Sequence, residues 1–206
     1  MRHVLDLLTS GVHDAKNQLF VAESLIAQAE TAHGIPLDEA RFAIEQAASR
    51  LTRVLTAYRL QRHLASLSIE MTWIGDLLDE AVMINAAHCS RLSQTLTAEC
   101  DLDEPWPVDR ELVLDMLANA IQNASRFARG RIRVAACRRD GMLSLCVEDD
   151  GPGFVTPETS AMARRGLGLF VASQLAAQHR RGERQGHLLL RNGGVLGGAV
   201  FELLLP

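Results

Sequence analysis

The strongest constraint in this sequence is the spacing of apolar residues over its first third. They recur at alternating intervals of four and three residues, at Leu8, Val12, Ala15, Leu19, Ala22, Ile26 and Ala29 and again at Ile44, Ala48, Leu51, Leu55 and Tyr58. This near-heptad spacing is typical of long helices that pack along one apolar seam. Gly34 and Pro36 separate the two runs and predict a turn between them.

The two runs therefore predict an antiparallel helical hairpin within residues 1–68. A single hairpin buries little apolar surface, so two copies are expected to pair into a dimeric four-helix bundle, which makes the protein a homodimer. A hairpin that packs only against a second domain of the same chain is the alternative arrangement.

The pattern changes after about residue 68, where short strands alternate with helices. Strands are expected at 69–74, 95–100, 131–138, 143–147, 187–191 and 199–205, and helices at 76–89, 109–127 and 166–179. The dipeptide Asp140-Gly141 indicates a tight hairpin turn between two of the strands. The mixture predicts an α/β sandwich over residues 69–206, with a mixed sheet covered by helices on one face, and an α+β chain as a whole.

Composition narrows the classes of function. The chain has 206 residues, of which 48% are hydrophobic, and its net charge of −4 with no long basic run argues against nucleic-acid binding. The spacing of the four cysteines fits neither a zinc site nor a small disulfide framework, so reduced thiols in a cytoplasmic protein are expected. No stretch approaches the roughly 18 apolar residues of a membrane span, and no signal peptide is expected, so the chain is predicted not to insert into a membrane.

The first candidate for chemistry is a short segment of the predicted first helix, residues 13–18. Residues 13, 16 and 17 share one helix face beside the apolar seam, so the imidazole of His13 is expected to reach solvent. A neutral imidazole is a good nucleophile near neutral pH, and Asp14 is placed to orient the ring and accept its proton. Lys16, the only lysine among the 21 basic residues, is expected to attract a phosphoryl group, and Asn17 to hold a water or a phosphoryl oxygen.

The second candidate is a pair of asparagines in the predicted helix over residues 109–127. Asn119 and Asn123 are four positions apart and therefore share a face. Carboxamide oxygens are neutral hard ligands that suit a Mg²⁺ whose charge a triphosphate already balances. Arg126 and Phe127 lie on the next turn of that face.

Two glycine-containing segments complete the candidates. Residues 148–153 end an apolar strand, where a carboxylate can accept a hydrogen bond from an exocyclic amine such as that of adenine and the glycines let the backbone approach a flat ring. Residues 166–169 open a predicted helix, whose free backbone N–H groups suit phosphate, with Arg164 and Arg165 adding positive charge. Taken singly, each of the four candidates is also compatible with ordinary surface residues or turns.

In this order and spacing, the four segments resemble those of a sensor histidine kinase of the GHKL ATPase superfamily. Residues 13–18 resemble the family's H-box, 119–127 its N-box, 149–153 its G1 box and 166–169 its G2 box, while 198–206 resemble its closing strand. The resemblance spans nearly the whole chain. It implies a dimerisation and histidine-phosphotransfer hairpin in residues 1–68, followed by a Bergerat-type ATP-binding domain in residues 69–206.

The resemblance also implies a role for each matched residue. His13 is the implied phosphoacceptor and Asp14 its general base, with Lys16 beside them, and Asn17 assists the reverse, phosphatase reaction. Asn123 is the implied Mg²⁺ ligand, and Asp149 is the implied reader of the adenine amine. The residues implied in ATP binding are Asn119, Asn123, Arg126, Phe127, Asp149, Gly151, Gly153, Gly166, Leu167, Gly168 and Leu169.

Three features qualify this pattern. Asn119 stands where ATP-hydrolysing members of the superfamily have a water-activating glutamate, which favours phosphorylation of histidine over hydrolysis. Only 12 residues separate Gly153 from Gly166, so the implied ATP lid is short. Ala199 replaces the family's threonine near the last strand.

The function implied by the resemblance is an ATP- and Mg²⁺-dependent protein-histidine kinase. It would autophosphorylate His13 and pass the phosphate to an aspartate in the receiver domain of a response regulator, with a separate sensor protein or domain supplying the signal. One alternative is a histidine phosphotransferase with a vestigial ATP-binding domain. Another is a dimeric GHKL scaffold that only binds other proteins.

Overall fold

The chain divides into two compact units, Met1–Ala65 and Ser66–Pro206, in the computed structural model. The structure describes residues 2–61, 66–154 and 167–206. The first unit consists of helices α1 (Arg2–His33) and α2 (Asp38–Gln61), which pack against each other. The assignment of residues 1–68 and 69–206 to a phosphotransfer and a catalytic domain stays a prediction.

The turn between α1 and α2 is held by one carboxylate. Gly34 has a φ of 63°, a conformation that suits glycine, and its N–H donates to the carbonyl of Glu30 at 2.9 Å. The Glu30 side chain accepts from the N–H of Leu37 at 2.8 Å and pairs with Arg41 at 3.5 Å. The predicted break at Gly34 and Pro36 is therefore where α1 ends.

The second unit contains nine strands and three helices among its described residues. They are β1 (Ile69–Thr72), α3 (Ile74–Arg91), β2 (Thr95–Cys100), β3 (Trp106–Asp109), α4 (Arg110–Ser125), β4 (Arg131–Arg139), β5 (Met142–Asp149), α5 (Leu167–Gln178), β6 (Arg180–Arg181), β7 (Arg184–Gln185), β8 (His187–Asn192) and β9 (Ala199–Leu205). Five strands form one sheet in the order β2-β4-β5-β9-β8, while β1 pairs with β3 and β6 with β7. Only the β2–β4 pair of the large sheet is parallel, so the predicted mixed sheet is confirmed.

The core lies between this sheet and the three helices. On β5 and β9 the alternation of side chains puts leucine, valine and phenylalanine on one face, namely Leu143, Leu145, Val147, Phe201, Leu203 and Leu205. Helix α3 contacts β2 and β4, α4 contacts β4 and β5, and α5 contacts β8 and β9. Each fully buried leucine contributes about 1.5–3 kcal/mol to the free energy of unfolding, so this apolar face accounts for much of the domain's stability.

The opposite face of the sheet carries a buried network of charges. Glu202, only 1% exposed, accepts hydrogen bonds from Ser144 at 2.7 Å, Arg139 at 2.9 Å and Arg191 at 3.3 Å. Burial by itself would raise the pKa of Glu202, but these three donors outweigh it and the pKa is lowered. Cys146 lies in the same row, where burial raises the pKa of its thiol to about 11, so it is an uncharged packing residue.

A buried histidine fixes the start of α4 against the end of α5. The side chain of Asp109 caps α4 by accepting from the N–H of Leu112 at 3.1 Å, as its position in the sequence predicts. The N–H of Asp109 donates to Nε2 of His179 at 3.2 Å, and Nδ1 of His179 donates to the carbonyl of Leu175 at 3.1 Å. One ring nitrogen thus accepts and the other donates, which is the pattern of a neutral imidazole.

This histidine predicts a pH dependence of stability. Burial lowers the pKa of His179 from its ordinary value of 6.5, although the Leu175 carbonyl and Asp109 oppose the shift. Below that ordinary value the unfolded chain takes up the proton first, so the free energy of unfolding falls as the pH drops, by at most about 1.4 kcal/mol per pH unit. We expect the Tm to fall between about pH 7.5 and 5.5, and the fall to be smaller in His179→Gln.

The control for this experiment is His187→Gln, which removes an exposed histidine. It should keep the full pH dependence of Tm measured by circular dichroism. If His179→Gln also keeps the full dependence, another group is responsible and the assignment to His179 is wrong.

Several elements differ from those predicted by the sequence. Helix α3 begins at Ile74, two residues before the predicted start, and therefore shortens the predicted strand at 69–74 to Ile69–Thr72. Strand β3 and the two-residue strands β6 and β7 were not predicted, because short strands carry no apolar alternation. The turn at Asp140-Gly141 is confirmed, with φ values of 52° and 73° that match the hairpin turn favoured by such a dipeptide. In the described part of the chain, no helix has the length and apolar content needed to cross a membrane.

Candidate functional site

The H-box residues all lie in α1 of the first unit. His13, Asp14, Lys16 and Asn17 fall near the middle of the helix Arg2–His33, so they have helical backbone as predicted. The side chains of Asp14 and Asn17 are exposed on that helix. Side-chain positions of His13 and Lys16 lie outside what the structure describes.

The N-box asparagines lie in α4 of the second unit, and Asn119 is close to the start of α5. Asn119 is only 7% exposed, and its Nδ2 has no hydrogen-bond partner among the described residues. A Cβ added at Gly168 would stand 3.2 Å from that nitrogen, so α5 approaches this amide through a glycine. Asn123 is half-buried one turn further along α4. A buried amide donor without a partner is unusual in a folded protein and indicates a place for a ligand oxygen.

Two further N-box residues follow the last turn of α4. Arg126 is exposed and occupies the C-cap position, where its N–H donates to the carbonyls of Asn123 and Ala124. Phe127 is 65% exposed, although phenylalanine side chains are usually buried in a protein core. Both side chains are therefore available to a ligand that lies beside the end of α4.

Asp149 ends β5 on the same face of the sheet as the helices. It is 4% exposed, and its Oδ1 accepts from the N–H of Gly151 at 2.8 Å and from the N–H of Ala199 at 3.2 Å. Both of these bonds go to one oxygen. No bond to Oδ2 is found within the described ranges, so that oxygen is the acceptor that remains for a ligand.

Asp150, the next residue, has a different role. Its Oδ1 accepts from the N–H groups of Arg129, Gly130 and Arg131 at 2.8–3.1 Å, and its Oδ2 lies 3.4 Å from Nε of Arg131. Burial would raise the pKa of Asp150, but these donors outweigh it and the pKa is lowered. This carboxylate therefore fastens the loop between α4 and β4 and is already saturated with donors.

The G1 glycines lie in very close contact with neighbouring backbone and side-chain atoms. A Cβ at Gly151 would stand 2.4 Å from the carbonyl oxygen of Phe127 and 2.9 Å from Oδ1 of Asp149, distances that no side chain tolerates. Gly153 has a φ of 74°, and a Cβ there would stand 2.8 Å from Oδ1 of Asn192. Glycine is therefore required at both positions for the chain to turn beside Asp149.

The G2 segment is described only in part. Helix α5 begins at Leu167, so Gly168 and Leu169 lie in its first turn, half-buried, as predicted. Gly166 lies outside the described residues, as do Arg164, Arg165 and the side chain of Leu167.

Apart from Gly198, the sequence did not single out the β8–β9 loop, residues 193–198, which the structure places next to Asp149. A Cβ at Gly198 would stand 2.4 Å from both the carbonyl oxygen and Oδ1 of Asp149. Asn192, the last residue of β8, forms two hydrogen bonds with the backbone of Phe154, accepting at 2.6 Å and donating at 2.9 Å. The four glycines among these six residues were the feature of the sequence that could have indicated this loop.

Together these residues fit an adenine nucleotide. The structure brings Asp149, Gly151 and Phe127 together, and Asn119 together with Gly168, all within the second unit. The first group offers a carboxylate oxygen and close backbone to a base. The second offers a buried amide that has no partner in the described part of the chain, and the first turn of a helix, both of which suit phosphate oxygens.

Comparison with known proteins defines the class of this domain. The family profile described as "Histidine kinase-, DNA gyrase B-, and HSP90-like ATPase" matches residues 108–206, which run from β3 to the end of the chain. This region contains every residue of the nucleotide cluster described above. Residues 108–206 therefore form a domain of this ATPase family.

Curated relatives narrow the class further. The sensor protein kinase CarS of Pseudomonas aeruginosa is 30% identical over 206 residues, which cover 94% of this chain and 44% of CarS. The two-component sensor PhoQ of the same organism is 35% identical over 108 residues, which cover 47% of this chain and 23% of PhoQ. The chain is a homologue of the sensor histidine kinases, and it spans less than half the length of these relatives.

Solved structures share the fold. The Acinetobacter baumannii histidine kinase AdeS superposes with a TM-score of 0.66 at 16% identity, covering 92% of this chain and 95% of that one. Full-length ShkA, solved in complex with AMPPNP, superposes with a TM-score of 0.66 at 22% identity, covering 97% of this chain and 45% of that one.

Proposed function

We propose that this chain is the kinase core of a two-component system, an ATP-dependent protein-histidine kinase that phosphorylates its own His13. The single observation that supports this best is the buried cluster around Asp149 and Asn119, in a GHKL domain that shares its chain with the His13-Asp14 pair. The phosphate then passes to an aspartate in the receiver domain of a response regulator. The protein acts as a homodimer through a four-helix bundle of two α1–α2 hairpins, in the cytoplasm.

Different residues of the site contact different parts of the nucleotide. Oδ2 of Asp149 accepts from the adenine amine, while the backbone at Gly151 and Gly153 borders the ring. The Nδ2 of Asn119 donates to a phosphate oxygen, which supplies the partner that this buried amide does not have among residues 66–154 and 167–206. The first turn of α5, with Gly168, provides backbone N–H groups for the phosphates.

Asn123 is the proposed protein ligand of Mg²⁺. The described residues contain no group of three or more histidine, cysteine or acidic side chains able to hold a metal. A neutral carboxamide suits a metal whose remaining ligands are phosphate oxygens and water. When bound, Mg²⁺ supplies neutralisation of the phosphate charge.

The transfer step uses the imidazole as nucleophile. A ring nitrogen of His13 forms a bond to the γ-phosphorus of ATP while the bond between that phosphorus and the bridging oxygen breaks, which releases ADP. Asp14 orients the ring and accepts its proton. Lys16 places a compact positive charge beside the phosphoryl group, and Asn17 serves the reverse removal of phosphate from the partner.

In this proposal the signal is sensed by another segment or another protein. CarS and PhoQ are named as sensors and are more than twice as long as the region they share with this chain. A separate sensor protein or domain is therefore the proposed source of the signal.

Replacing Asn123 with alanine tests the metal assignment. We expect Asn123→Ala to lose most of the Mg²⁺-dependent gain in ATP affinity, about tenfold, because one metal ligand is removed, while affinity in EDTA is unchanged. Isothermal titration calorimetry with and without Mg²⁺ measures both quantities. Gln122→Ala is the matched control, because Gln122 is the neighbouring amide on α4 but donates to Asn85 of α3 at 3.3 Å.

The same titrations separate the proposal from its alternative. A chain that binds ATP with Mg²⁺ dependence supports the kinase. A folded chain that binds no ATP would instead be a histidine phosphotransferase with a vestigial nucleotide domain. Equal loss of Mg²⁺-dependent affinity in Asn123→Ala and Gln122→Ala would contradict the role given to Asn123.

A further inference from the structure

Glu148 precedes the nucleotide-reading aspartate but lies on the other face of the sheet. Successive residues of a strand point to opposite faces, so Glu148 cannot reach a ligand held by Asp149. It is nonetheless only 4% exposed. Its Oε2 accepts from the N–H of Val195 at 2.9 Å, and its Oε1 lies 3.6 Å from Arg133.

The partner of Glu148 is the centre of the β8–β9 loop. Gly193, Gly194 and Gly197 all have positive φ, at 102°, 77° and 85°, so this loop has little conformational restraint of its own. Across residues 194–197, the bond from Val195 to Glu148 is the only hydrogen bond found in the described structure. The loop is also closely packed on this side chain, because a Cβ at Gly194 would stand 2.9 Å from Oε2 of Glu148.

The far end of the same loop sets the direction of the Asp149 carboxylate. The N–H of Gly198 donates to the carbonyl of Asp149 at 3.0 Å, and the N–H of Ala199 donates to Oδ1 at 3.2 Å. Oδ1 also accepts from the N–H of Gly151 at 2.8 Å, so Ala199 and Gly151 together hold Oδ1 and leave Oδ2 for the base. A loop that drifts from the sheet would let the carboxylate turn.

We infer that Glu148 is a positioning residue for nucleotide recognition, which holds the β8–β9 loop from the opposite face of the sheet and thereby orients Asp149 toward the adenine amine. This inference rests on the proposed function, because it takes Asp149 as the reader of the base. Glu148 makes no contact with the nucleotide. Its effect passes through Val195 and the backbone of residues 198 and 199.

A matched residue on the same face separates positioning from general stability. Glu202 is also a buried glutamate, with three hydrogen-bond donors of its own, but none of its hydrogen bonds or ion pairs in the described structure involves the loop. Removing either carboxylate leaves arginines without their buried partner and lowers stability. Only the removal of Glu148 also releases the loop.

The test measures the affinity of the whole chain for ATP and for GTP by calorimetry. We expect Glu148→Ala to weaken ATP binding about three- to tenfold with GTP binding unchanged, so that discrimination between the bases falls. Glu148→Gln keeps an acceptor oxygen for Val195 and should stay within about twofold of the unmodified chain. Glu202→Ala should lower the Tm but leave both affinities unchanged.

A second pair of variants serves if Glu148→Ala does not fold. The side chain of Val195 is 74% exposed, so it can be replaced without disturbing the core. Val195→Pro removes the N–H that donates to Glu148, whereas Val195→Ala keeps this N–H. We expect the loss of ATP affinity in the proline variant only.

Two outcomes overturn the inference. If Glu148→Ala and Glu202→Ala weaken ATP binding equally, Glu148 affects only the stability of the domain and does not position Asp149. If ATP binding is unchanged in folded Glu148→Ala, or in Val195→Pro, the β8–β9 loop does not contribute to recognition of the base. Failure of the unmodified chain to bind ATP is a different result, because it overturns the proposed function and this inference with it.

Discussion

Replacing His13 with glutamine is expected to abolish phosphate incorporation from ATP and to leave ATP affinity unchanged. Glutamine has no nucleophilic ring nitrogen, so no bond to phosphorus can form. The proposed nucleotide residues belong to the other compact unit, Ser66–Pro206, so we expect ATP binding to be independent of this side chain. Labelled ATP measures the incorporation, and calorimetry measures the affinity.

The control for this variant is another histidine of the same helix. His33 lies in the last turn of α1, and His33→Gln should incorporate phosphate like the unmodified chain. Asp14→Asn should slow incorporation about a hundredfold to ten-thousandfold, the usual range for loss of a general base, without unfolding α1. If His13→Gln still incorporates phosphate at the normal level, the phosphoacceptor is a residue other than His13.

Replacing Asp149 with asparagine is expected to weaken ATP binding about ten- to hundredfold, which is the loss of one charge-assisted hydrogen bond. The carboxamide oxygen would remain at the Oδ1 position, where the N–H groups of Gly151 and Ala199 require an acceptor. The amide nitrogen would then occupy the Oδ2 position and present a donor to the donor of the adenine amine. Calorimetry measures the affinity.

Asp150→Asn is the matched control for that change. Asp150 is the adjacent carboxylate, but its oxygens are engaged by the loop from Arg129 to Arg131. Its substitution should lower the Tm with little effect on ATP affinity. ATP binding that is insensitive to Asp149→Asn would place the base elsewhere.

The sequence was informative where a local rule decides the structure. Asp109 was expected to start α4 and caps it, and the Asp140-Gly141 turn joins β4 to β5. These features depend on residues close together in the chain, so spacing and turn chemistry suffice to predict them. The strands predicted at 143–147 and 199–205 are likewise found, as β5 and β9.

The sequence could not distinguish the three consecutive acids at the end of β5. Glu148, Asp149 and Asp150 have similar charges, and the resemblance singled out only the middle one. The structure gives each a different set of partners, respectively Val195 and Arg133, the backbone at 151 and 199, and the backbone at 129–131. Those partners lie up to 50 residues away in the chain, so only the folded sheet identifies them.

The most direct test of the account is the chemical nature and position of the phosphate on the unmodified chain. The purified protein is incubated with γ-labelled ATP and Mg²⁺, and the product is tested in acid and in base and mapped by mass spectrometry. A histidine kinase of the proposed kind should carry an acid-labile, base-stable phosphate on His13, and this phosphate should disappear when a receiver domain with its acceptor aspartate is added. A chain that binds ATP but takes up no phosphate, or carries an acid-stable phosphate elsewhere, would contradict this proposal.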